Sequence, residues 1–387
     1  MTPAAERRVL VIIGTRPEAI KLGPVVQELK ARGGIDPIVV LTGQHREMVD
    51  PMLEVFGITP AADLALLAPR QRLADITVRA LRGLDEVLER DRPDALVVQG
   101  DTTTAFAGAL AALYHQVPVV HVEAGLRTGN WLSPYPEEAN RKLIGQLASL
   151  HLAPTARAAN NLRREGVDAD HIVITGNTVI DALRWAVQHA PAPVDPQLVA
   201  IEADERPLVL CTVHRREAWD EGLTNAAMAI ATIARERDVL IVVPLHPNPV
   251  VQAAVLPSLQ DLKNVVVVEP LDYLAFSRLL QRARLVLTDS GGIQEEAPSL
   301  GVPVLVLRDV TERPEAVEAG AACIVGTDAG RIATEALRLL GDDEAHRAMA
   351  SVVNPYGDGR AAVRSVDALQ WFFGDGDRPA DFSPDVR

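Results

Sequence analysis

The segment Leu287-Thr288-Asp289-Ser290-Gly291-Gly292-Ile293-Gln294-Glu295-Glu296-Ala297 decides how this chain folds. An apolar strand, Leu285 to Leu287, runs into a short glycine-bearing turn, and a helical pattern follows at once. A strand that passes directly into a helix leaves backbone N–H groups at the helix N-terminus, where the dipole favours an anion such as a diphosphate. Gly291 and Gly292, lacking Cβ atoms, permit close approach of a phosphate. Glu296 follows about one turn on, spaced to accept hydrogen bonds from a ribose. A tight turn that needs two glycines for packing is the other reading of the same letters.

The strand-to-helix pattern repeats outward from this segment. Apolar, β-branched runs recur at Val9–Ile13, Ile38–Leu41, Ala95–Val98, Val117–Val122, Ile172–Thr175, Leu208–Val213, Val239–Val243, Val265–Val268, Leu285–Thr288 and Val302–Leu307. Helical patterns lie between them, at Arg72–Glu89, Thr103–Tyr114, Glu137–Leu147, Leu223–Arg237 and Ala329–Leu340. Strands alternating with such helices make βαβ units, and strands apolar throughout suit parallel sheets covered on both faces. The strands are too numerous for one doubly wound sheet. The expected architecture is α/β, two Rossmann-like domains with parallel sheets facing across a central cleft. A boundary near 170 or near 190, where Ala190-Pro191-Ala192-Pro193 interrupts the pattern, would divide them. We expect an N-terminal domain over 1–170, a second domain over 171–359 and a frayed polar tail over 375–387.

With 387 residues, 48% of them hydrophobic and 23% charged, the chain has the composition of a soluble globular protein large enough for two cores. A net charge of −14 argues against a nucleic-acid or anionic-membrane surface. The two cysteines, Cys211 and Cys323, both lie in apolar runs and make neither a disulfide framework nor a zinc site. No apolar run reaches the roughly 20 residues of a membrane span, and Val9–Ile13 is too short for a signal-peptide core. The expected location is the cytoplasm.

Ligands of open parallel sheets bind beyond the carboxyl ends of the strands, and there the polar residues collect. After the first strand come Arg16, Pro17 and Lys21, two cations beside a helix N-terminus and not a G-x-G-x-x-G dinucleotide fingerprint. Asp101 follows the third strand, as a helix N-cap or as a reactive acid. Glu123 ends the fourth strand, and Glu137, Glu138 and Arg141 open the next helix, with Arg141 one turn from Glu137. In the second half, His214-Arg215-Arg216-Glu217 ends one strand, His246 lies between prolines after another, and Arg313 follows a third.

In order along the chain, GTRPEAIKLGPVV (14–26), TGQHREM (42–48), GDTTTAFAGALAA (100–112), HVEAGLRTGN (121–130), PEEANR (136–141), TGNTVIDAL (175–183), HRRE (214–217), HPNP (246–249), DSGGIQEEAPSLGVPVLVLRD (289–309), TERPEAVEAG (311–320) and NPYGDG (354–359) closely resemble the non-hydrolysing UDP-N-acetylglucosamine 2-epimerases. The resemblance implies a GT-B-like fold, a homodimer, and a C-terminal helix (360–374) that packs back on the N-terminal domain. It implies that Arg16, His214, Ser290, Gly291, Gly292, Glu296 and Arg313 hold the diphosphate and uridine. Lys21, Asp101, Glu123, Glu137 and Arg141 would line the sugar and the reacting bonds. A second, allosteric UDP-GlcNAc site would use Gln44, Arg70, Arg215, Glu217 and His246. Val213 departs from the pattern, which has a smaller residue before the histidine.

The expected reaction follows from the chemistry of carbon 2, whose proton is not made acidic by an adjacent carbonyl. Elimination of UDP to 2-acetamidoglucal, followed by re-addition, converts UDP-GlcNAc to UDP-ManNAc. It needs carboxylates near both faces of carbon 2, with Asp101, Glu123 and Glu137 as candidates, and cations and helix N–H groups on the departing diphosphate. No cofactor is expected, since the dinucleotide fingerprint and any metal-ligand constellation are missing from the sequence. The alternatives are a hydrolysing UDP-GlcNAc 2-epimerase and a GT-B glycosyltransferase. The second would share the Ser290-Gly291-Gly292 site but has no evident use for so many acids in the first domain.

Overall fold

A computed structural model describes residues 6–43, 46–66, 71–213, 221–245 and 248–384. The chain forms two compact units, the first made of residues up to 182 together with those from 356 onward, the second of 183–355.

In the first unit, strands and helices alternate as β1 (Arg7–Ile13), α1 (Arg16–Arg32), β2 (Ile35–Leu41), α2 (Arg46–Val55), β3 (Ala62–Asp63), α3 (Leu73–Asp91), β4 (Ala95–Gln99) and α4 (Thr103–Tyr114). They continue through β5 (Val119–Val122), α5 (Glu137–Leu147), β6 (Leu150–Ala153), α6 (Ala156–Arg164), β7 (Ile172–Ile174) and α7 (Thr178–His189). The seven strands are ordered β3-β2-β1-β4-β5-β6-β7, every pair parallel. Leu10, Ile12, Val40, Leu84, Leu88, Leu96 and Val98 fill the core between the sheet and α3 and α4. Because both faces are covered, the central strands carry apolar residues at consecutive positions, as in Val9–Ile13 and Ala95–Val98, rather than at alternate ones.

The second unit repeats the plan with α8 (Pro196–Ala203), β8 (Leu208–Thr212), α9 (Glu221–Glu236), β9 (Leu240–Pro244), α10 (Pro249–Leu259), β10 (Val265–Val268), α11 (Tyr273–Arg282) and β11 (Ala283–Thr288). Then come α12 (Gly291–Glu296), β12 (Val304–Val306), α13 (Pro314–Glu318), β13 (Ala322–Ile324), α14 (Ala329–Gly341) and α15 (Asp343–Ala350). Its sheet is parallel in the order β10-β9-β8-β11-β12-β13. Both sheets therefore reverse direction beside their first strand, at β1/β4 and at β8/β11. In doubly wound folds this switch point opens the crevice where ligands bind.

Several expectations change. β3, β6 and β13 lie outside the expected runs: β3 has only two residues, Ala62 and Asp63, β6 carries a histidine, His151, inside it, and β13 is Ala322-Cys323-Ile324, without a β-branched run. The units part within α7, at 182/183, between the two expected positions near 170 and near 190, and the proline-rich stretch 190–195 is a loop of the second unit. The last helix, α16 (Ala361–Phe372), belongs to the first unit, where Arg32 of α1 pairs with Asp367. Asp181 accepts hydrogen bonds from the N–H groups of Ala361 (3.1 Å) and Ala362 (2.8 Å), capping its start.

The tail after 374 is not frayed through its length. The N–H of Ile174 donates to Asp381 (2.9 Å), and that of Phe382 donates to the Ile174 carbonyl (2.6 Å). The Phe382 ring is buried against Ala153, Ile172 and Ile174. The polar composition of the tail concealed one aromatic anchor and a carboxylate able to satisfy the exposed edge of β7. Among the described residues, no helix is long and apolar enough to cross a membrane.

Candidate functional site

At the switch point of the first unit, the carboxyl ends of β1, β4 and β5 bring together the acids and cations singled out in the sequence. Glu123 follows β5 with φ 61°, in the left-handed region that a glutamate adopts only where its surroundings hold it. Its buried carboxylate accepts from Lys21 Nζ (2.5 Å), Asn177 Nδ2 (2.9 Å) and Gln99 Nε2. Lys21, one turn into α1, thus spends its charge on Glu123. Arg16, half-buried at the first position of α1, makes no ion pair with any described residue.

Asp101 is not the N-cap of α4. That role belongs to Thr102, whose hydroxyl accepts from the N–H of Ala105 (3.0 Å). The Asp101 carboxylate instead pairs with Arg141 of α5 (2.6 Å). Arg141 also lies 3.4 Å from Glu138, so its partners are Asp101 and Glu138 rather than Glu137. Glu138 is fully buried and accepts from the N–H groups of Thr128 (3.0 Å) and Gly129 (3.1 Å), tying the loop after β5 to α5. Glu137 opens α5 half-buried, with no side-chain hydrogen bond to a described residue.

The turn that carries Asp101 is built from below. Gly100 has φ 68°, where a side chain would be strained, and the Glu123 carboxylate lies 3.5 Å from where its Cβ would stand. His121, buried inside β5, contacts the Gly100 carbonyl through Nε2 (2.8 Å). Burial pushes its pKa down to about 4, aided by Arg127 and Arg141 and opposed by the Gly100 carbonyl and Glu123. Glu18 is equally buried, and its carboxylate accepts from the N–H groups of Gly14 and Thr15 (2.7 Å each) and from the Thr102 hydroxyl (2.7 Å). Burial raises its pKa, against the hydrogen bonds from Thr102, Gly14 and Thr15.

In the second unit, Ser290 caps α12 directly after β11. The Ser290 N–H donates to Thr288 Oγ1 (3.0 Å), and that hydroxyl pairs with Thr212 of β8 (2.7 Å), fixing the turn to the switch point. Gln294 donates to the Ser290 carbonyl (3.0 Å) and accepts from Thr311 (2.5 Å), whose hydroxyl in turn accepts from the Arg313 N–H (3.0 Å). Arg313 is paired through Nε with the buried Glu295. Among the described residues, a Cβ on Gly292 would meet only Glu296, at an ordinary 3.8 Å. Neither backbone conformation nor packing against the described residues demands glycine at 292, which favours the reading that the missing side chain leaves room over the first turn of α12. His214, Arg215 and Glu217, with Gln44, Arg70 and His246, lie outside the described residues.

The UDP-N-acetylglucosamine 2-epimerase family model matches residues 27–370. The chain belongs to the UDP-N-acetylglucosamine 2-epimerase family. It is 49% identical to the UDP-N-acetylglucosamine 2-epimerase of Bacillus subtilis, over 95% of this chain and 96% of that one. It is also 49% identical to the enzyme of that name from Escherichia coli, over 94% of this chain and 98% of that one. The crystal structure of UDP-GlcNAc 2-epimerase from Neisseria meningitidis bound to UDP-GlcNAc superposes with a TM-score of 0.86, at 44% identity, covering 94% of this chain and all of that one.

Reading the sequence missed residues that assemble this candidate site. Glu18 carried a signal, the Thr15-x-x-Glu18 capping box. Gln99, His121 and Asn177 carried none, because each acts on a partner from another strand or turn. Gln294 and Glu295 were legible only as helix residues, and their links to Thr311 and Arg313 span 17 and 18 positions.

Proposed function

We propose that the protein interconverts UDP-GlcNAc and UDP-ManNAc, inverting carbon 2 by elimination and re-addition of UDP without net hydrolysis. The single observation that carries the reading is the gathering of Asp101, Glu123 and Glu137 with Lys21 and Arg141 at the ends of β4 and β5 and the start of α5. A base removes the carbon 2 proton, the C–H electrons form the double bond of 2-acetamidoglucal, and the bond from carbon 1 to UDP breaks with its electrons on the β-phosphate oxygen. In the return step that oxygen attacks carbon 1, and a proton is delivered to the opposite face of carbon 2.

In this reading Asp101 is the first base, with its orientation set by Arg141. Glu123 and Glu137 handle the second proton transfer, Glu123 carrying its charge against Lys21 and Glu137 accepting no side-chain hydrogen bond from the described residues. Arg16, Ser290, Gly291, Gly292, Glu296, Arg313 and His214 hold the UDP moiety, whose diphosphate gains charge as it leaves.

Proton NMR of the purified protein with UDP-GlcNAc in D2O, without added cofactor, tests the reading. UDP-ManNAc appearing with deuterium at carbon 2 supports it. Free N-acetylmannosamine with stoichiometric UDP overturns it in favour of hydrolysis, and no change in UDP-GlcNAc favours a transferase that needs an acceptor. General-base loss costs about 10²- to 10⁴-fold, so Asp101→Asn is expected to lower turnover into that range while UDP still binds.

A further inference from the structure

The turn Gly100-Asp101-Thr102 is gripped at each of its three residues by a different buried side chain. His121 of β5 takes the Gly100 carbonyl (2.8 Å), Asn140 of α5 donates to the Asp101 carbonyl (2.8 Å), and Glu18 of α1 accepts the Thr102 hydroxyl (2.7 Å). All three are buried and belong to three different elements. Local chain geometry needs none of them: Thr102 alone caps α4, and Gly100 adopts its conformation unaided.

His121 is the most specific of the three. A carbonyl only accepts, so its partner Nε2 must carry the proton, and a neutral imidazole has no second one. Nδ1 is then an acceptor, and it has no hydrogen-bond partner among the described residues. Burying a polar ring carries a desolvation cost that an apolar residue in the same strand would avoid. Such a residue would fit the rest of β5, where Val119, Val120 and Val122 are all buried.

We propose that His121 is a positioning residue for Asp101, holding the Gly100 carbonyl so that the turn presents the Asp101 carboxylate at one fixed place, with Asn140 and Glu18 completing the grip. The inference rests on the reading of Asp101 as the proton-abstracting base. His121 touches no reacting atom in it; it acts through the turn.

The test uses the full chain. A misplacement of about 1 Å costs on the order of 10²-fold, so His121→Phe, which keeps a flat ring and removes the donor, is expected to lower kcat to about that extent. Binding of UDP by calorimetry should stay within about twofold, since the residues proposed for UDP lie on other turns. His121→Gln can place an amide donor near the position of Nε2, and is expected to recover turnover to within about fivefold of the parent. In an Asp101→Asn background, His121→Phe is expected to cost little more, because residues that act as one unit are not additive.

Full turnover in His121→Phe overturns the inference, as does an equal loss in the Phe and Gln variants, or an undiminished effect in the Asp101→Asn background. If His121→Phe fails to fold, Asn140→Leu, which releases the Asp101 carbonyl, must show the same split between kcat and UDP binding. Failure of the base reading is separate: Asp101→Asn alone would then retain near-normal turnover.

Discussion

Glu123 and Lys21 set the electrostatics around the proposed reacting centre. The pair is largely buried, with side-chain exposures of 6% and 16%, and at 2.5 Å it is a charge-assisted contact in a region that water screens poorly. Removing one member of such a pair costs about 3–5 kcal/mol when the other is left charged and buried, an upper bound here because Gln99 and Asn177 still donate to Glu123. Lys21→Met is therefore expected to lower unfolding stability by about 1–3 kcal/mol and turnover by about 10²-fold. Urea titration and NMR rates check the two separately. Unchanged turnover would remove Glu123 from the proton relay. The sequence presented Lys21 as a neighbour of Arg16 on α1; only the contact across 102 positions shows where its charge goes.

At the scale of elements, α12 and the chain terminus make opposite predictions. Alanine is favoured over glycine inside a helix by about 0.5–1 kcal/mol, and a Cβ on Gly292 has room among the described residues. Gly292→Ala is thus expected to leave stability unchanged or raise it by about that amount. Calorimetry should at the same time show UDP affinity falling by about tenfold or more, near 1.4 kcal/mol; undiminished UDP binding would restore the packing reading of the two glycines. The C-terminal residues have no part in the proposed chemistry. Deleting 375–387 exposes what Phe382 covers and unpairs Ile174 of β7. Fully burying a large apolar side chain is worth about 1.5–3 kcal/mol, so the truncated chain should unfold at lower urea, and an unshifted midpoint would mean the tail does not dock.

The molecule as a whole carries an acid sensitivity in β5 and β6. His121 and His151 stand directly opposite each other in the parallel register, both buried. Burial drives His151 down to about 3, helped by His121, His171 and Arg127, while His121 sits near 4. A histidine whose folded pKa is depressed contributes stability above its unfolded value of 6.5, and that contribution is lost as pH falls toward the folded pKa, because the unfolded chain binds the proton first. At pH 5 each ring has lost on the order of 2 kcal/mol. His151→Gln should accordingly lose less stability than the parent between pH 7.5 and 5, by about that amount, in urea unfolding followed by circular dichroism. Parallel curves would show that the ring is already charged or hydrated.

The order of apolar runs and helical patterns was enough, by itself, to determine two parallel-sheet α/β units, since a strand buried on both faces writes its burial into every residue and the connecting helices leave only parallel pairing open. It also located Asp101, Glu123, Glu137 and Arg141 at strand and helix ends, because charged residues interrupt apolar runs where strands stop. Tertiary structure alone decided the partnerships: Lys21 with Glu123, Arg141 with Asp101 rather than Glu137, Arg313 with Glu295, and the three buried residues that hold the Asp101 turn. It decided the parting of the units within α7 and the docking of Phe382 as well. The physical reason is common to all of these: periodicity and capping are local and recorded within a few residues. A hydrogen bond or ion pair between strand ends depends on sheet order and register, which bring together side chains that the sequence keeps far apart.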